Sequence, residues 1–106
     1  MDTLEDIIAL IKTEPAIILY LTAEHCNVCK VLKPAISRML ALQYPQIRFI
    51  EIDTVQQPDV TAHFNAFAIP LVLVFFDGKE FFRKGRAMGI TELAGDLTRP
   101  YAMMFE

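Results

Sequence analysis

At 106 residues, 54% of them hydrophobic, the chain has the length and composition of one compact domain, and it is too apolar to be disordered. A net charge of −3 and a longest basic run of only "RKGR" (Arg83 to Arg86) supply no electrostatic footprint for nucleic acid. The acidic start "MDTLEDII" lacks the basic region of an export signal, and no apolar run approaches the roughly 20 residues that span a bilayer, so the expectation is a soluble, cytoplasmic protein with no membrane partner.

Residues 3 to 13, "TLEDIIALIKT", place Leu4, Ile7, Ile8 and Ile11 at helical spacing, with Asp2 or Thr3 as N-cap and Pro15 as the stop. "AIILYLT" (Ala16 to Thr22) is short, apolar and bounded by polar residues, the pattern of a strand buried on both faces. From Cys26 to about Tyr44 a helical stripe returns through Cys29, Leu32, Ile36, Met39 and Leu40, with Lys30, Lys33 and Ser37 on another face. Pro34 lies inside it and predicts a kink, because it removes a backbone hydrogen bond and crowds the carbonyl one turn back.

"IRFIEID" (Ile47 to Asp53) reads as a second strand, with Ile47 and Phe49 set against Arg48 and Glu51. A short helix over "PDVTAHFN" (Pro58 to Asn65) follows. "PLVLVFF" (Pro70 to Phe76) and "EFFRKG" form a hairpin turned at Asp77-Gly78. Phe75, Phe76, Phe81 and Phe82 then alternate sides, two inward and two forming an apolar edge. "TELAGDL" (Thr91 to Leu97) gives a last helix capped by Thr91 and ended or bent by Pro100, before an apolar tail, "YAMMFE". The order α-β-α-β-α-β-β-α, with right-handed crossovers, predicts an α/β fold over residues 1–106, a mixed four-stranded sheet with helices on both faces.

Both cysteines fall in "TAEHCNVCKVLKP", at the junction of the first strand and the second helix. A structural disulfide is a poor explanation: such bridges are rare in the cytosol, and a ring of four residues removes little entropy from the unfolded chain. A zinc site would draw on His25 and His63, but zinc sites usually show a second closely spaced ligand pair, and none is present. Redox chemistry remains. At the first turn of a helix, unpaired N–H groups and the positive end of the dipole favour a thiolate, so Cys26 is the expected nucleophile. His25, Lys30 and Lys33 can add to that field. Cys29 lies on the core-facing stripe and is the expected resolving thiol.

The strand ending in "CNVCK", Pro34 eight residues beyond Cys26, "AIP" with Pro70 opening the third strand, and "DGK" followed by Gly85 together resemble the thioredoxin family over residues 4 to 98. The resemblance is to the minimal four-stranded form, since helix one begins almost at Met1. It implies a thiol-disulfide oxidoreductase of protein disulfides with no bound cofactor and no metal, served by a separate reductant. It also implies a cis Ile69-Pro70 bond, with both residues contacting substrate. The family's usual Trp-Cys-Gly-Pro-Cys is departed from at His25, Asn27 and Val28, and its buried aspartate is replaced by Tyr20, leaving Glu24, His25 or water to serve Cys29. The competing expectation is a redox-idle interaction module. In it the apolar hairpin and the Met103, Met104 and Phe105 tail bind a partner or a second copy; otherwise that tail packs on its own chain.

Overall fold

The computed structural model describes residues 2–85 and 88–106; Arg86, the end of the basic run, lies outside them. Elements follow the expected order: α1 (Leu4–Thr13), β1 (Ala16–Thr22), α2 (Asn27–Gln43), β2 (Arg48–Asp53), α3 (Pro58–His63), β3 (Leu71–Phe76), β4 (Lys79–Lys84) and α4 (Ile90–Phe105). The sheet runs β2-β1-β3-β4, with β1 and β2 parallel and the other pairs antiparallel.

Every residue of β1 is buried, because helices cover both sides of the sheet. Ala16, Ile18 and Tyr20 join Ile36, Met39 and Leu40 of α2 and Leu93 and Leu97 of α4 in one cluster. Ile17, Leu19 and Leu21 join Ile7 and Ile11 of α1 and Val60 of α3 in the other. Fully burying one such aliphatic side chain contributes roughly 1.5–3 kcal/mol, so the period-2 alternation of β1 anchors both layers. No helix among the described residues is long and apolar enough to cross a membrane.

Thr3 takes the N-cap of α1, not Asp2, and a capping box forms in which Asp6 N–H donates to Thr3 Oγ1 while Thr3 N–H donates to Asp6. Three expectations are corrected. In β2, Arg48 and Glu51 are both exposed yet cannot share a face, being three residues apart; Ile50 and Ile52 belong to the α1 layer and Ile47 and Phe49 to the α2 layer. The hairpin does not alternate cleanly. Its register shifts between Val74 and Phe75, leaving Phe81 without a ladder partner. Phe75 and Phe76 lie on opposite faces as expected and are both buried because β3 is covered on each side; Phe82 packs on the α2 layer, and Phe81, half exposed, rests edge-on against Phe76 at 5.3 Å.

Helix α4 starts one residue before Thr91, with Gly89 at the cap and no side-chain bond there, and it continues through Pro100 to Phe105. Pro100 deprives only the Asp96 carbonyl, on an exposed part of the helix, of its donor, while Tyr101 packs at a tilt on Phe105 at 4.7 Å and meets Tyr44 of the α2 end edge-on at 4.8 Å. Tertiary packing outweighs the local break, and the tail folds onto its own chain. Pro34 lies within α2, on its exposed side.

Candidate active site

Strand β1 delivers the chain to a tight turn, Ala23 to Cys26, closed by Cys26 N–H donating to the Ala23 carbonyl at 3.0 Å. Cys26 then becomes the N-cap of α2, with extended backbone angles (φ −94, ψ 100). Its sulfur accepts the N–H of Cys29 at 3.2 Å, the position an N-cap oxygen occupies elsewhere. An orphan donor of the helix start is thus aimed at the sulfur that would carry charge. The two cysteines are joined as a disulfide, with Cα atoms 5.3 Å apart. Cys29 is fully buried and Cys26 is 7% exposed, so the outer thiol is less open to solvent than the sequence suggested, though it remains the more accessible of the two.

The flanking residues separate by role. Glu24, His25 and Lys30 are exposed around the turn. Lys33 is turned toward β2, paired with Glu51 at 2.9 Å, so its charge is shared rather than free for Cys26. Tyr20 is buried, stacks on Phe49 at 5.8 Å, and donates its hydroxyl to the Cys29 carbonyl at 2.7 Å. Burial first, and then the Glu51 carboxylate, push its pKa up to about 12. It is a fixed donor, not a base. His63 lies on α3, edge-on to Phe64, and among the described residues no group of three or more His, Cys, Asp and Glu side chains is placed to hold a metal.

Pairing of Leu21 with Leu71 places the start of β3, and with it the cis Ile69-Pro70 bond, at the same end of the sheet as the cysteine turn. Pro70 is buried and Ile69 half-buried, packed against both core clusters. Arg83 of β4 donates to the carbonyls of Phe64 at 3.1 Å and Asn65 at 3.3 Å and is held by Glu80 at 2.7 and 2.8 Å, which fixes the segment leading into Ile69. Sequence reasoning assigned no role to Arg83, because its targets are backbone atoms far away in the chain.

Two depressions flank the disulfide. One, of about 420 Å³, is lined by Thr22, Glu24, Lys30, Glu51, Asp53 and Gln57 among others. The other, of about 490 Å³, is apolar and lined by Asn27, Val28, Val31, Leu32, Ala35 and Ile90. Val28 and Val31, one turn apart and both exposed, were the available signal for the second.

Residues 3–98 match the thioredoxin family model. The chain belongs to the thioredoxin family. It is 31% identical over 85 residues to the thioredoxin-like protein YdfQ of Bacillus subtilis, a match covering 80% of this chain and 75% of that one. Mitochondrial thioredoxin-3 of Saccharomyces cerevisiae, in its oxidised crystal structure, superposes with a TM-score of 0.77 at 22% identity, over 92% of this chain and 89% of that one. Thioredoxin 1 of Thermosipho africanus gives 0.76 at 24% identity, over 85% and 99%. These structures share the four-stranded mixed sheet and its helices with this thioredoxin-family chain. With the family established and the Cys26–Cys29 pair bridged at the helix start, the chain is a thiol-disulfide oxidoreductase, and the redox-idle module is not favoured.

Proposed function

We propose that this thioredoxin-family protein reduces disulfides in other proteins, with Cys26 as the attacking thiol and Cys29 as the resolving thiol. The observation that carries the assignment is the inequality of the pair: the Cys26 sulfur caps α2 in a residue that is 7% exposed, whereas Cys29 lies inside the helix and is fully buried. Cys26 as thiolate attacks a substrate disulfide; that bond breaks, one substrate sulfur leaves as thiolate, and the other stays bonded to Cys26. Cys29 then displaces it, and the bridged pair is the product. A separate dithiol reductant returns the pair to its reduced form.

Ile69 and Pro70 serve as substrate contacts, a role supported by their place at the cysteine end of the sheet. Lys30, exposed in the first turn of α2, adds positive potential near Cys26, and His25 lies beside it in the turn. Lys33, committed to Glu51, contributes less. A cytoplasmic setting is part of this reading, in keeping with a chain whose two cysteines both sit in the exchange site. A monomer is favoured by the packing of Tyr101 and Phe105 on their own chain, with Phe81 and Met103 left as exposed apolar residues.

Replacement of Cys29 by serine tests the roles. The variant is expected to accumulate mixed disulfides at Cys26 that dithiothreitol releases. Capture no greater than that of the double variant Cys26→Ser, Cys29→Ser would overturn them.

A further inference from the structure

Cys29 is held at both of its backbone polar atoms. Its N–H points at the Cys26 sulfur at 3.2 Å, and its carbonyl receives the Tyr20 hydroxyl at 2.7 Å, both bonds being buried. Tyr20 is itself fixed in β1, the innermost well of the fold, with Phe49 stacked against its ring. A turn of helix that carries a reacting sulfur is thus tied to a fully buried central strand by one short hydrogen bond.

Among the described residues, no charged side chain is buried beside Cys29 to accept its proton. In the buried cluster around it, the ionisable side chains are Tyr20, Tyr44, Tyr101 and Cys26, and the only buried polar side chains among the described residues are the uncharged Thr22 and Gln57. β3 presents Val72 and Val74, and α4 presents Leu93 and Leu97. From β2, Glu51 is paired with Lys33 of α2 and half-buried Asp53 accepts the N–H groups of Val55 and Gln56, while Lys30, Glu24 and His25 are exposed outside the cluster. Tyr44 spends its hydroxyl on the Ala94 carbonyl, and the Tyr101 hydroxyl accepts from Gln46 N–H.

We infer that Tyr20 is a positioning residue for the release step: by holding the Cys29 carbonyl it keeps the Cys29 sulfur aligned on the Cys26 mixed disulfide, in place of any side chain that would take the Cys29 proton. This rests on the exchange roles proposed above. In that step Cys29 ionises to solvent, its sulfur bonds to Cys26, the bond between Cys26 and the substrate sulfur breaks, and the electron pair leaves on the substrate sulfur, which takes up a proton. Alignment raises the rate at a given thiolate fraction. The thiolate fraction itself follows the pH, so release is slow at neutral pH and accelerates as the solution becomes alkaline.

The test uses the reduced protein and an aromatic disulfide whose released thiolate absorbs visible light. The first equivalent reports attack by Cys26, and the second reports release by Cys29. Tyr20→Phe, which keeps the ring and removes the hydroxyl, is expected to slow the second phase about tenfold while changing the first less than about threefold. In the unaltered protein the second phase should rise close to tenfold per pH unit between about pH 6 and 8. An unchanged second phase in Tyr20→Phe, or equal slowing of both phases, overturns the positioning role. A second phase already level below about pH 7 in the unaltered protein overturns it without any variant, since it would reveal a proton acceptor beside Cys29. Failure of the first phase would instead remove the exchange roles on which the inference stands.

Discussion

A cysteine at a helix N-cap is both a structural and a chemical element. The Cys26 sulfur receives the Cys29 N–H, and the same donor stabilises negative charge on it once the disulfide opens. Serine is among the best N-cap residues, so Cys26→Ser should leave the fold in place while removing the nucleophile. Disulfide reductase activity is expected to fall on the order of 10³-fold or more. Stability in urea, compared with the reduced unaltered protein under dithiothreitol, should stay within about 1 kcal/mol. A loss well beyond that would show that the sulfur holds the turn in a way an oxygen cannot. The place of Cys26 was legible in the sequence, because an apolar run ends and a 3.6-residue period begins around it. The partner of Tyr20 was not, since nothing in the spacing of residues 20 and 29 reveals a hydrogen bond between a strand side chain and a helix carbonyl.

Among the elements, those defined by strong local patterns were read to within a residue or two. β1 matches its apolar run from Ala16 to Thr22, and the Asp77-Gly78 turn has the positive φ angles, 54 and 79, that a two-residue hairpin requires. Departures arise where distant contacts decide. Packing of Tyr101 on Phe105 and against Tyr44 carries α4 past a proline, and the shift between Val74 and Phe75 leaves Phe81 outside the ladder. Helix α1 is the opposite case, with a start set by its own sequence. Thr3→Ala removes half of the capping box and should lower stability by about 1 kcal/mol in urea unfolding. Exchange activity should be unchanged, because α1 covers the layer opposite the one that holds Cys29. A drop in activity without a drop in stability would contradict that separation of layers.

Taken whole, the molecule is a sheet with two differently committed faces, and the face bearing the cysteines titrates only through thiols and phenols among its described buried residues. Its response to pH should therefore lie on the alkaline side. Tyr20 in the folded protein has its pKa raised to about 12, by burial first and by Glu51 second, against an ordinary value near 10 in the unfolded chain. Below about pH 10 the phenol is protonated in both states, and its stabilising contribution is complete. Between about pH 10 and 12 only the unfolded chain releases the proton, so unfolding gains about 1.4 kcal/mol per pH unit, and roughly 2–3 kcal/mol is lost by the time the folded phenol ionises. The Tyr20→Phe variant has no such proton to lose. Urea unfolding followed from about pH 9 to 12 should therefore show the stability gap between the unaltered protein and the variant shift in the variant's favour by roughly 2–3 kcal/mol. A gap that stays constant over that range would mean that the Tyr20 hydroxyl ionises as easily inside the fold as outside it, which its bond to the Cys29 carbonyl and its burial forbid.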